Sequence, residues 1–515
     1  MFPLRKQVFY TRGVPAPEAA DGTATMTRTR YALTLSAVVL LVIMGAAAYI
    51  AKYVLYSLPG VWSGRLDDEA ARPRFVFDIW ADKSGQLSGR LNSPQRLLWG
   101  LPFDEISMSG GKVVMQVRQY GLKFSGHFSL DGRAIEGRWW QTGRSLPLVL
   151  RRGAAVQRRP RSQEPVPPLP YDTEDVTFEN TKAGVRIAGT LTQPHSSTPV
   201  AAVLLTACVG ADRDETGYGH KFFLVLADYL TRRGIAVLRI DGRGVGGSGG
   251  SGLMSTTADF ADDALAGVGF LKRKAGIDPT RIGLLGHSEG GLIASIAAQH
   301  SADVAFVVMM GPMGIPGAEE AQRQFETRAV VAGQSPASIA YVLSLQKAMF
   351  EIIRTTPDND AATRQMNAFW EEKKADLTHV GLTASEQAAV LAGEPVLEDR
   401  MRMMPTPWER YFLSYDPAVT LRQVHCPVLA ISGTLDLQAP PGPNFPAIEA
   451  ALRAAQNPDV TLRVMPRLNH AMQPALTGAL DEYANLEQTF DPEALAVIGD
   501  WLGAHTAPFQ TRPAQ

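Results

Sequence analysis

From residue 60 to about 153, apolar and polar positions alternate in short runs broken by turn residues: RFVFDIW, GQLSGRL, ISMSGGKVVMQV, GLKFSGHFSLDGRAIEGRWW and SLPLVLRR. Period-two alternation turns one face of an extended chain toward a core, so these runs predict antiparallel strands. Asp131-Gly132 and Gly110-Gly111 supply the positive backbone angles that tight hairpin turns need. Residues 58–153 therefore predict a small antiparallel β domain, a barrel or curled sheet, with Trp62, Phe75, Trp80, Phe128 and Trp139 in its core or lining a pocket.

Residues 154–172 are basic, then proline-rich, with no apolar period, and predict a linker. The pattern then changes. Strand-like, largely apolar segments at 200–206, 235–240, 281–285, 304–311, 426–433 and 459–466 alternate with segments of helical spacing at 222–233, 258–274 and 492–503. Such alternation argues for a parallel sheet covered by helices on both faces. Between about 316 and 407 the pattern is wholly helical, with charged faces and apolar positions such as Phe350, Met366, Phe369, Trp370 and Met404. That stretch predicts a helical cap inserted into an α/β domain spanning 173–515.

The N-terminal residues add a membrane signal. Tyr31 to Ala51 carries no charge and is long enough to cross a bilayer as a helix, and Arg5, Lys6, Arg12, Arg28 and Arg30 precede it. Positive residues on that side predict a cytoplasmic leader over 1–30 and an inner-membrane segment over 31–57, with everything beyond it in the cell envelope, outside the cytoplasm. Two readings stand: a retained single-span anchor, or a signal peptide starting at Met26 and cleaved after the alanines at 46–48. The formal net charge of -1 gives no reason to expect nucleic acid as a partner. Only Cys208 and Cys426 are present, far apart, so neither a disulfide framework nor a zinc site is expected. No metal or cofactor is expected.

The chemistry is carried by three positions. Gly286-His287-Ser288-Glu289-Gly290 lies between an apolar strand and a helical run, the context in which a G-x-S-x-G serine sits on a sharp turn as a nucleophile. Asp436 follows the run ending near Gly433, and His470 follows the one ending near Met465. Serine, aspartate and histidine, in that order and each after a predicted parallel strand, predict a triad. His470 is then the base and Asp436 holds it. His425 and His505 are poorly placed, and His287 is expected to point away across the turn. One oxyanion donor is expected to be the backbone N–H of Glu289, the other an N–H from the loop ACVGADRDE. Asp212, Arg213, Asp214 and Glu215 in that loop form either a substrate-binding rim or a salt-bridged turn. GRGVGG at 242–247 matches a dinucleotide-binding fingerprint formally. The intervening SGGSGLMSTT keeps it from opening a helix, which the phosphate site requires.

The segments ACVGADRDETGYGHKFFLVLADYLTRRGIAVLRIDGRGVGGSGG, GHSEGG, ISGTLDLQAPP and LNHAMQ, with WERYFLSYDP closing the cap, resemble the α/β-hydrolase family. More narrowly they resemble bacterial envelope esterases of the serine aminopeptidase-like or dienelactone hydrolase-like group, which carry an N-terminal β domain. The resemblance implies an α/β-hydrolase fold and hydrolysis of small-molecule esters by Ser288, Asp436 and His470, and the apolar cap residues are expected to favour apolar acyl or aryl groups. It also puts Cys208 in the oxyanion loop as the second N–H donor. Relatives have a Gly-Ser-Gly-Pro run there, followed by glutamine; this chain has Ala207-Cys208-Val209-Gly210 and then Ala211. An aminopeptidase or amidase is the alternative, with Glu371, Glu372, Glu386 and Glu409 as candidates for holding a free amine. A non-catalytic envelope binding protein that keeps the fold is the third reading.

Overall fold

The structure, a computed structural model, describes residues 57–66, 74–81, 85–93, 98–103, 105–117, 122–141, 144–152, 161–392 and 405–507. The predicted leader over 1–30 and the apolar segment Tyr31 to Ala51 lie outside the described residues. Among the described residues no helix is long and apolar enough to cross a membrane.

The alternating runs form nine strands: β1 (Gly60–Arg65), β2 (Arg74–Ala81), β3 (Leu87–Ser93), β4 (Leu98–Pro102), β5 (Glu105–Ser109), β6 (Lys112–Val117), β7 (Leu122–Phe128), β8 (Ala134–Gln141) and β9 (Arg144–Arg152). They build one sheet in the order β4-β3-β2-β1-β9-β8-β7-β6-β5. Among the described residues every pairing in it is antiparallel, as short turns between neighbours demand. The sheet curls enough that a Cβ on Gly89 of β3 would lie 2.9 Å from Cδ1 of Ile106 in β5. Trp62, Phe75 and Trp139 fill the curl and are essentially unexposed, and Phe75 and Trp139 rings lie 4.8 Å apart. Trp80 is on the other face, 37% exposed, with the Arg90 guanidinium over its ring. Phe128 is only partly buried, edge-on to Trp62. The filled interior makes these residues a core.

The larger sheet contains β10 (Tyr171–Asn180), β11 (Val185–Pro194), β12 (Val200–Thr206), β15 (Ala236–Ile240), β16 (Ile277–His287), β17 (Val307–Met310), β18 (Val428–Gly433) and β19 (Val460–Met465), with a two-residue hairpin, β13 (Thr216–Gly217) and β14 (His220–Lys221), outside it. Its order is β10-β11-β15-β12-β16-β17-β18-β19. β10 and β11 join through antiparallel pairs, and from β15 onward the pairs are parallel. Leu204, Leu238 and Leu284 stand in register across the centre and are fully buried. Burial of each such side chain contributes about 2 kcal/mol, and Leu204→Ala would cost roughly 2–5 kcal/mol.

Helices α1 (Phe222–Arg232), α2 (Thr257–Leu271) and α3 (Glu289–His300) cover the sheet between strands. α2 starts where it does because Thr256 and Asp259 form a reciprocal capping box. The cap follows β17 as α4 (Gly317–Val331), α5 (Pro336–Thr355), α6 (Asn359–Ala375), α7 (Ala384–Ala392) and α8 (Pro407–Ser414); α9 (Pro417–Leu421) leads back to β18. α10 (Pro441–Ala454), α11 (Leu480–Tyr483) and α12 (Pro492–Thr506) complete the domain. Phe350, Met366 and Trp370 pack with Leu345, Met349 and Ile353 in a core that belongs to the cap itself. Their apolar surface holds the cap together, so it is not available to a substrate; Met404 lies outside the described residues. The two domains meet where Arg90 of β3 pairs with Asp212 at 3.3 Å and where Leu253 packs against the β-domain core.

Candidate active site

The serine turn is built by steric necessity. Ser288 takes φ 58° and ψ −122°, a conformation that side chains resist. A Cβ on Gly286 would lie 1.9 Å from the Gly290 carbonyl oxygen, and one on Gly290 would lie 2.0 Å from that of Thr206. Both glycines of the motif are therefore required by close backbone approach. The Ser288 N–H donates to the Met310 carbonyl at 2.8 Å, which fixes the turn to the end of β17.

Asp436 and His470 come together at the ends of β18 and β19. The two are 2% and 4% exposed. His470 Nδ1 lies 2.8 Å from Asp436 Oδ2. The other carboxylate oxygen accepts from the backbone N–H groups of Gln438 and Ala439 at 2.9 and 2.8 Å, so the aspartate cannot rotate away. Asn469 orders the histidine loop: its Oδ1 accepts from Ala471 and Gln473 N–H, and its Nδ2 donates to Gln473 Oε1. Gly311, between β17 and the cap, had no part in the sequence reading. At φ +53°, a Cβ there would sit 2.8 Å from His470 Nδ1 and 3.2 Å from Asp436 Oδ2. The pair rests directly on this bare backbone, next to the residue that holds the serine turn.

His287 packs beside His470. Its Nε2 lies 3.0 Å from the His470 carbonyl, its Nδ1 meets Glu215 Oε1, and its ring centroid is 4.6 Å from that of His470. Both ring nitrogens face acceptors, so both need protons. Burial opposes the charge, but Glu215, the His470 carbonyl and Asp436 together raise the His287 pKa above the ordinary histidine value.

Glu289 and Cys208, the residues read as oxyanion donors, lie at the start of α3 and in the loop after β12. Glu289 is the first residue of α3, where amides have no intrahelical partner. The Cys208 N–H has no hydrogen-bond partner among the described residues. The Cys208 side chain reaches solvent from the floor of a concavity; the surrounding protein, then Glu215 and Glu289, push its thiol up to about 12. It is therefore a neutral thiol at physiological pH. The four charges that follow are all engaged: Asp212 with Arg90, Arg213 with Asp241, Asp214 with Arg239 and Lys221, and Glu215 with His287. GRGVGG wraps a carboxylate of its own. A Cβ on Gly246 would lie 2.2 Å from Asp241 Oδ2, which accepts the Gly247 N–H at 3.0 Å.

A serine on a strained strand-to-helix turn, with the acid and the histidine after later strands of a mostly parallel sheet, decides the architecture. The fold is that of the α/β hydrolases. Residues 219–473 match the family described as serine aminopeptidase, S33. Over 163 residues the chain is 31% identical to esterase EstD of Thermotoga maritima, an alignment that spans 31% of this chain and 37% of that esterase. Among solved structures, an esterase of Pyrococcus furiosus, Pf2001, overlays at 16% identity with TM-score 0.38, covering 65% of this chain and 92% of that one. Est1E of Butyrivibrio proteoclasticus, solved with ferulic acid bound, gives 14% identity and TM-score 0.36, covering 64% and 96%. Among the described residues no group of His, Cys, Asp or Glu is arranged to hold a metal ion.

Proposed function

We propose that the protein is a hydrolase that cleaves carboxylic esters through an acyl-enzyme on Ser288. The observation that carries this reading is the buried His470–Asp436 pair at 2.8 Å, resting on the same strand end that holds Ser288. The identity to an esterase supports the ester as substrate.

In the proposed reaction the Ser288 hydroxyl attacks the ester carbonyl carbon while His470 Nε2 takes its proton. Asp436, ionised throughout, accepts the Nδ1–H and stabilises the imidazolium. The Glu289 and Cys208 N–H groups donate to the tetrahedral oxyanion, and loss of one such donor raises the barrier by about 3 kcal/mol. Collapse expels the alcohol, which takes the proton from Nε2. Water then repeats the attack on the acyl-enzyme, and Ser288 is regenerated as the acid leaves. His287 and Asn469 act on His470 through its backbone and its loop, and so position the base.

The carboxylates considered for an aminopeptidase have other work. Glu371 and Glu372 are exposed beside Lys374 and Lys373. Glu386 caps α7 through Thr383, and it is the Glu409 backbone N–H that donates to the Thr406 cap of α8. The same proposal puts the catalytic domain in the cell envelope, held or exported by the apolar segment at 31–57; fractionation with and without that segment tests the placement. The activity test is hydrolysis of p-nitrophenyl esters against aminoacyl p-nitroanilides by the full chain and its Ser288→Ala variant. Ester turnover that disappears in the variant is expected. Serine-dependent turnover of anilides alone would make it a peptidase, and no serine-dependent turnover would favour the binding protein.

A further inference from the structure

We infer that the Glu289 side chain positions the oxyanion loop and ties that loop to the cap, a function separate from that of its backbone N–H. The kinetic part of this inference rests on the ester-hydrolysis reading; the structural part does not.

The loop after β12 begins with Ala207-Cys208-Val209-Gly210. The peptide joining Cys208 to Val209 is held at both ends: its carbonyl accepts from Ala211 N–H at 3.1 Å, and its N–H donates to Glu289 Oε2 at 3.1 Å. Behind the loop, between Cys208, Val209, Asp241, Phe260 and Ile293, lies a cavity with about 40 Å³ open to water. Glu289 Oε1 accepts from the Thr257 hydroxyl and from the Trp408 indole N–H, both at 2.7 Å. Trp408 stands in α8, the helix that closes the cap, stacked on Phe412.

The donor count shows why the residue is a carboxylate. The Val209 N–H and the Trp408 indole can only donate, and they address different oxygens. An amide of the same shape has one acceptor oxygen, so one of these donors would face another donor. Glu289 is 2% exposed, and a buried carboxylate is costly unless its hydrogen bonds are made. Here three donors meet it. Burial raises its pKa, and the bonds from Thr257, Trp408 and Val209 work in the opposite direction.

The test is a rescue. In Glu289→Gln the amide cannot accept from both Val209 and Trp408, and kcat is expected to fall about 100-fold, the scale of a lost oxyanion donor, with KM within about threefold. Adding Trp408→Phe removes one donor. The Gln oxygen can then take Val209 N–H while its amide donates to Thr257, and kcat should recover at least about tenfold over the single variant. Amide hydrogen exchange at Val209 and Ala211 in the same proteins should be slow in the wild type, fast in Glu289→Gln and slow again in the double variant. Losses that simply accumulate, or exchange that never changes, would overturn the inference. If the exchange pattern holds but the wild type shows no Ser288-dependent ester turnover, the positioning role stands and the ester reading falls. Should Glu289→Gln not fold, Trp408→Phe alone still decides. Exchange at Val209 and Ala211 stays slow if Glu289 holds the loop and becomes fast if the cap does.

Discussion

Replacing Gly311 with alanine tests how closely the base and acid depend on bare backbone. The substitution adds one methyl group at φ +53°, where an L side chain costs about 1 kcal/mol. The larger effect is steric. The new Cβ would lie 2.8 Å from His470 Nδ1, 2.9 Å from Cε1 and 3.2 Å from Asp436 Oδ2. Carbon contacts are favourable near 3.5–4.0 Å, so the imidazole must retreat by about half an ångström or more. Asp436 cannot follow, because its second oxygen is fixed by the Gln438 and Ala439 N–H groups. The His470–Asp436 bond at 2.8 Å is therefore stretched and the base misplaced, which at this scale costs about 100-fold in rate. Thermal melting and p-nitrophenyl ester kinetics on the same preparation separate the two effects. The expected result is a small drop in Tm beside a large drop in kcat. A variant that keeps kcat within about threefold of wild type would refute the idea that this contact sets the histidine's position.

Asp436→Asn should leave the fold intact, since Oδ1 can still accept from Gln438 and Ala439, but turn an amide toward His470 Nδ1; kcat should fall about 10⁴-fold at unchanged Tm. Glu320 of α4 is buried, with Asn444 on one oxygen and no partner on the other among the described residues. Burial, opposed by the Asn444 bond and reinforced by Asp436 and Glu319, pushes its carboxyl from 4.5 up to about 7. The folded state holds that proton where the unfolded chain has lost it. This group therefore favours folding at low pH, and its contribution declines by about 3 kcal/mol as pH rises from 4.5 through 7. Urea unfolding of Glu320→Gln should accordingly show a gain over wild type at pH 8 that disappears at pH 4. The raised pKa of His287 gives a contribution fully present below the ordinary histidine value and lost as pH rises through the folded value. Unfolding measured from pH 6 to 10 should show that decline in wild type and a flatter profile in Glu215→Gln.

The central parallel strands were legible because a strand covered on both faces reads as an unbroken apolar run, as β12, β18 and the Ile282–Leu285 part of β16 do. Ser288 and Asp436 stood out because each follows the end of one, whereas His470 follows the edge strand β19, a partly exposed VTLRVM, and was placed by its order after Asp436. β10 was not, because only one of its faces packs inward. Tyr171, Val176 and Phe178 are buried between exposed Asp, Glu and Thr residues, and its first residues look like the end of a linker. The supporting groups were less visible still. His287 finds Glu215 and His470, and Glu289 finds Trp408, only after the sheet and cap have folded. No spacing encodes those meetings. Gly311 did leave a trace, a glycine directly after an apolar run, but a glycine there is as common at an ordinary strand end.

The cap enters between β17 and β18, and this has a consequence for synthesis. Val307–Met310 emerges from the ribosome long before Val428–Gly433, the strand that covers its free edge. At roughly 5–20 residues per second the delay is on the order of ten seconds. Throughout it an apolar strand edge, carrying the serine turn but neither its acid nor its base, is open to pairing with other nascent chains. Yield in the cell should therefore depend on how quickly the cap collapses and on what shelters that edge while it does.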